Sequence, residues 1–360
     1  MDENTAAELF EFKFKWIDED GDEQGFFSKR GAIEGETLRL DETEIPISGI
    51  ADTVSRENRV VLSVAMADET FTHLFLAVKG NKAKGLERRL GRLRSAIWAK
   101  NHREELASQG RVDEFLSVGC PSCSATLDLT GFELTPQVYC RFCDAIYTRH
   151  DELSGKSLSE TKELTKKEGR LKLCDECGMY STPQRFTIFY FYFLLVVYGW
   201  QYRQTWRCPA CMRKDAWLMM LGNLPFLLGI PVAITQLIRS YRGVELHGAL
   251  AKLDGANIKA RSGKLQAAVS DYQKILEKQP VAAGVKFNIA SALLHDSQIP
   301  KAAQMLEYSL KDCCNYEPAA GMLLQCYEQN GDEAKLADLK KQWGVEQQAP
   351  SEPGEEIATE

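Results

Sequence analysis

Phe10, Phe12, Phe14 and Trp16 alternate with polar residues and run into Asp-Glu-Asp-Gly-Asp at 18–22, the pattern of a half-buried strand entering a hairpin. Further short strands are expected over Thr37–Leu40, Glu44–Ile50, Arg59–Ala65 and Thr70–Val78, bounded by turn formers such as Gly35, Pro46, Asn58 and Asp68. After Gly80 the period changes. Leu86, Leu90, Leu93 and Ile97 step by four, three and four, which predicts a helix with one apolar stripe. Its arginines, Arg88, Arg89, Arg92 and Arg94, are expected on the opposite, solvated face. Residues 8–108 therefore read as an antiparallel sheet closed by a helix.

Two apolar runs follow further along. Phe186–Trp200 is fifteen residues without a charge, extending to 202 before Arg203. That length falls between the 10–14 residues of an interfacial segment and the ~20 of a membrane crossing. Its wealth of Phe, Tyr and Val suits strands as well as a helix. From Ala216 to Ile238, twenty-three residues carry no charge, with Arg213 and Lys214 at one end and Arg239 and Arg242 at the other. With Trp217 placed as an interfacial aromatic, 216–238 predicts a transmembrane or re-entrant segment. Asn223-Leu-Pro225 and Gly229-Ile-Pro231 could kink it or turn it back. This reading expects a membrane protein in contact with the lipid bilayer, its polar ends on a common, cytoplasmic side.

Beyond Gly243 the pattern is helical, with a 34-residue period: Gly263, Ser297 and Gly331 fall at equal spacing. In the same register Ala268 and Ala302 take the small position at a helix crossing, and Tyr272 and Leu306 follow four residues later; Pro280 ends the first unit. Residues 249–344 resemble a tetratricopeptide (TPR) solenoid on these positions. The third unit departs from the pattern, with Leu336 at the crossing and Ala337 beside it. The resemblance implies a concave face that binds a protein partner. The sheet and helix of 8–108 resemble a pleckstrin-homology-like (PH-like) domain in topology, without a residue motif that would carry over a ligand.

Eleven cysteines add chemistry to this outline. Eight form four CxxC pairs: Cys120/Cys123, Cys140/Cys143, Cys174/Cys177 and Cys208/Cys211. The odd total and the lack of a basic, then apolar start argue for reduced thiols rather than a disulfide framework. Sixteen residues separate the first two pairs, the spacing of a zinc ribbon, so 116–150 is expected to hold a closed, structural Cys₄ zinc site. Thirty residues separate the last two, and 173–212 reads as a second zinc ribbon carrying the apolar insert 186–202. A bilayer crossing inside that insert would part Cys177 from Cys208 by about 30 Å. Zinc–sulfur bonds of about 2.3 Å forbid that separation, so a second zinc site requires the insert to return on itself. Some bacterial zinc ribbons resemble it in this long insert. Cys313, Cys314 and Cys326 have no partners at metal spacing and read as packed or surface thiols.

The 360-residue chain thus reads as multidomain α+β, with a charged linker at 151–172 and an acidic, disordered tail at 346–360. Its net charge of −7 argues against nucleic acid as a partner, the more so because each Cys₄ zinc site adds about −2. No phosphate loop, nucleophile elbow or HExxH helix occurs, and His73, His102, His150, His247 and His295 are scattered. No catalytic residues and no small-molecule substrate are evident. The expectation is a non-enzymatic, membrane-associated scaffold mediating protein–protein interaction. The alternatives are a zinc and thiol redox sensor at the membrane and a zinc-ribbon nucleic-acid binder.

Overall fold

A computed structural model describes residues 9–344 except 19–20, 57, 67–69, 81, 150–165, 167, 195–196, 225–228, 243–245 and 247. The expected tail at 346–360 and most of the expected linker lie outside the described residues. The linker's last residues are not loose: Leu171 is buried, and Glu168 accepts hydrogen bonds from Thr148 N and Oγ1.

Seven antiparallel strands form the N-terminal sheet: β1 (Phe10–Trp16), β2 (Lys29–Glu34), β3 (Thr37–Leu40), β4 (Thr43–Pro46), β5 (Ile50–Arg56), β6 (Arg59–Ala65) and β7 (Phe71–Val78), in the order β4-β3-β2-β1-β7-β6-β5. Alternation sends Phe12 and Phe14 into the core with Ile33, Leu38, Leu40, Leu62 and Leu76. Helix α1 (Ala83–Ser108) closes this core with Leu86 and Leu90, while Leu93 and Ile97 pack at its margin. The arginines do not share one solvated face. Arg94 is buried, lies 4.6 Å from the Trp98 ring and donates to the Ala51 carbonyl. The far half of α1 instead supports the next module.

The insert 186–202 is a hairpin. Strands β14 (Gln184–Leu194) and β15 (Val197–Arg207) pair antiparallel from Gln184↔Arg207 to Leu194↔Val197. The chain therefore returns to its starting point, as a shared ion requires.

The transmembrane or re-entrant segment expected over 216–238 is not borne out, and with it falls the membrane localisation. Among the described residues no helix is long and apolar enough to cross a membrane. The run is divided between α2 (Pro209–Gly222) and α3 (Ile230–Arg242), fourteen and thirteen residues long. At 1.5 Å per residue each spans about 20 Å, short of the ~30 Å hydrocarbon core. Asn223 ends α2: its buried carboxamide donates to the Met219 and Phe189 carbonyls, and Gly229 packs against it with no room for a Cβ. The two helices pack together and onto β14, burying Phe186, Met212, Ala216, Met219 and Ala233 in one small core. That local core accounts for part of the apolar run, while Trp217, Leu218, Leu221 and Ile238 stay exposed.

The C-terminal region is helical. Helices α4 (Leu253–Arg261), α5 (Leu265–Lys278), α6 (Ala283–His295), α7 (Ile299–Asp312), α8 (Glu317–Asn330) and α9 (Glu333–Gln342) form three successive hairpins. Gly263, Ser297 and Gly331 sit in their turns, all in the left-handed region, at φ 73°, 57° and 72°. Ala268 and Ala302 are fully buried at the crossings, with Tyr272 and Leu306 beside them.

Candidate metal centres

Each of the first three CxxC pairs folds into the same tight turn. The N–H of Ser124, Asp144 and Gly178, each following its second cysteine, donates to the carbonyl of Cys120, Cys140 and Cys174 at 2.8, 2.8 and 2.9 Å. Those three residues take φ values of 61°, 59° and 68°. Such a loop turns both thiols of a pair toward one point. The fourth pair differs, because Pro209 at the first helical position converts the turn into the start of α2. Cys208 is the N-cap and its Sγ accepts the Cys211 N–H. A helix N-terminus thereby faces the sulfurs and favours the thiolate form.

Hairpins bring the pairs together. Strand β10 (Gln137–Cys140) pairs with β11 (Ala145–Thr148) across the second knuckle, and β8 (Ser117–Gly119) pairs with β9 (Thr126–Asp128) across the first. Cys120 Sγ lies 3.7 Å from Cys143 Sγ, and Cys123 Sγ 3.5 Å from Cys140 Sγ. In the second cluster β12 (Lys172–Leu173) and β13 (Tyr180–Ser181) flank the Cys174/Cys177 knuckle, and Cys177 Sγ lies 3.7 Å from Cys208 Sγ. All four sulfurs in each set lie within 4.8 Å of one another. Four sulfurs at ~2.3 Å from a common centre form a tetrahedron with edges of about 3.8 Å. Both clusters are therefore positioned to hold a metal ion, and all eight expected ligands, Cys120, Cys123, Cys140, Cys143, Cys174, Cys177, Cys208 and Cys211, take part.

Hydrogen bonds among the four sulfurs of each cluster act unequally: those from Cys120, then Cys123 and Cys140, pull the Cys143 thiol far below its ordinary range, whereas those from Cys120, then Cys123 and Cys143, push Cys140 far above it, and the same split lowers Cys174 and raises Cys208. The Cys208 N–H also donates to Cys174 Sγ at 3.2 Å. Beside the second cluster the buried Arg207 pairs with Glu176 at 3.0 Å and with Asp215, its guanidinium 5.4 Å from the Phe186 ring. Asp175 binds the same strand end, accepting from Trp206 N at 2.7 Å. The hairpin insert is thus tied to the knuckle at its base.

The ribbons are also docked on their neighbours. Phe142, inside the second knuckle, lies over Gly91 of α1, where a Cβ would stand 2.6 Å from the ring. His102 Nδ1 lies 2.6 Å from Asp128 Oδ2, and Ser95 Oγ accepts the Thr126 N–H. Toward the helices, Asn315 accepts from Tyr139 N at 2.9 Å and donates to Tyr139 O at 2.7 Å. Gln137 Oε1 accepts the Ala283 N–H at the start of α6. The Cys313 thiol, fully buried nearby, is pushed up by burial, and Cys314 and Cys326 are buried too. None of these three joins a metal cluster among the described residues. Asn315 had no signal in the sequence, standing in the turn between α7 and α8.

Comparison with known proteins finds no family model that matches the chain and no curated protein that matches it.

Proposed function

We propose that this chain is a non-enzymatic interaction scaffold braced by two structural zinc ions. In this reading Cys120, Cys123, Cys140 and Cys143 hold one ion, and Cys174, Cys177, Cys208 and Cys211 hold the other. The observation that carries it is that each cluster offers four sulfurs at tetrahedral spacing and is docked on neighbouring modules. Tetrahedral S₄ sets suit zinc, and four protein ligands leave no position for a substrate. Bound zinc would supply ligand bonds in place of a larger core; the side chains around it dock one module on the next. The N-terminal sheet is then a PH-like domain and residues 249–344 a TPR-like array, the ribbons acting as rigid joints between them. Net charge −7 further favours protein over nucleic acid as the partner.

Metal analysis with thiol titration tests this reading. The expected result is two zinc ions per purified chain, with eight thiols unreactive toward mild oxidant until a chelator is added. One zinc and four reactive thiols would remove the second site. Release of zinc by mild oxidant would turn the reading toward a thiol sensor.

A further inference from the structure

Side chains of α4 and α6 hold the segment that leaves the Cys174/Cys177 knuckle. Tyr180 belongs to the short strand that leaves the Cys174/Cys177 knuckle, and Thr182 follows directly after its end. Asn288 of α6 reads both main-chain groups of Tyr180: its Oδ1 accepts the N–H at 2.8 Å, and its Nδ2 donates to the carbonyl at 2.6 Å. Asn257 of α4 donates to the same carbonyl at 3.0 Å, and Asn257 Oδ1 is held by Asn288 Nδ2 at 2.9 Å and Tyr272 Oη at 2.7 Å. Two residues along the chain, Asp254 accepts from Thr182 N at 3.3 Å and from the Thr182 hydroxyl. Asp254 and Asn288 stand 34 residues apart, at equivalent places in successive helical hairpins. The first helical hairpin therefore holds both Tyr180 and Thr182, and the second holds Tyr180.

A socket accompanies this ladder. The Tyr180 ring lies against Gly284, one turn before Asn288, and any side chain at 284 would collide with it. Tyr180, Met179 and Leu171 join Leu253, Tyr272 and Phe287 in one core. The contacts are mostly to main chain, so they select an extended backbone. Two features select sequence: an aromatic ring over Gly284, and a hydroxyl two positions later for Asp254.

What keeps this strand in place is short. Strands β12 and β13 have two residues each, too few to persist as a hairpin unless held at both ends. Three links fasten the segment: the ladder itself, the local core, and the sulfurs shared with Cys208 and Cys211.

We propose that this surface is a receptor for an extended peptide of Tyr-X-Thr type, occupied in cis by residues 179–182 and vacated when the second metal site loses its ion. The proposal rests on the zinc reading of that site. Loss of the ion leaves a two-residue hairpin to compete with an incoming segment for Asn257, Asn288, Asp254 and the Gly284 socket. The partner is a protein segment with an aromatic residue and a hydroxyl two positions on, in extended form.

The test uses the full chain and a synthetic probe of its own sequence, Gly-Met-Tyr-Ser-Thr-Pro-Gln (178–184), with zinc content measured in every sample. Chelator-treated protein should bind the probe at least tenfold more tightly than zinc-loaded protein. Replacing the probe's tyrosine by alanine, or using the Asn288→Ala protein, should weaken binding at least tenfold. Hydrogen exchange supplies a second readout: after chelation, amides of 179–182 should exchange at least tenfold faster while α4–α9 keep their protection. Equal binding with and without zinc, no binding after chelation, or loss of protection throughout α4–α9 would each overturn the proposal. A chain isolated without zinc would instead overturn the metal reading beneath it.

Discussion

At the scale of single residues, glycines separate contact from propensity. Gly284 and Gly255 both lie in helices that line the strand-reading surface, yet their surroundings are opposite: Tyr180 occupies the space over Gly284, and nothing stands within 4 Å of a Cβ at Gly255. Gly284→Ala should therefore cost about 1–3 kcal/mol through overpacking. Gly255→Ala should gain up to about 1 kcal/mol from helix propensity. Denaturant unfolding of the two variants checks both signs. The eight metal-cluster cysteines were legible in the sequence because each CxxC is a local device, readable from four residues. The asparagines were not. Asn288 and Asn315 meet main chain 108 and 176 residues away, and no local pattern encodes such a meeting.

At the scale of elements, the turn at Ser297 tests the repeat register. Gly263 and Gly331 hold the equivalent left-handed positions without penalty, whereas Ser297 takes φ 57° with a side chain. Ser297→Gly should raise stability by about 0.5 kcal/mol, and Gly263→Ala should lower it by about 1–2 kcal/mol, both read from unfolding midpoints. The 34-residue spacing was visible in the sequence because turns and crossings recur at fixed offsets. The strands β3 and β6 were visible because alternation is a short-range signal. The apolar run at 216–238 misled because a hydropathy window reads length and charge, not where the chain breaks into two helices. It could not show that Asn223 would bond to Met219 and Phe189 carbonyls and end a helix there, or that Ala216, Met219 and Ala233 would find a core beside Phe186.

At the scale of the whole molecule, two cores meet at the ribbons. The N-terminal sheet and α1 bury Phe12, Phe14 and Leu62 in a core of their own. Tyr139, Ile146, Leu171, Met179 and Tyr180 of the ribbon region share a second core with the C-terminal helices. Chelation should therefore act unevenly. Calorimetry should show the transition of the helical array falling by several degrees, on the basis that ~1 kcal/mol corresponds to roughly 4–8 °C in a unit of that size. The transition of the sheet should move less. A single transition that ignores chelator would show that the ribbons do not contribute to the helical core's stability. This partition was only half legible: each module has a sequence signature, but docking depends on Phe142 over Gly91 and Asn315 on Tyr139, contacts that belong to no module alone.

The claim on which the rest depends is that two closed sulfur sites, each holding one zinc ion, brace the chain. X-ray absorption at the zinc edge of the full-length protein tests it most directly. The spectrum should fit four sulfur neighbours at about 2.3 Å for each of two zinc ions, with no nitrogen or oxygen neighbour. A nitrogen or oxygen shell near 2.0–2.1 Å, or fewer than four sulfurs per ion, would contradict it.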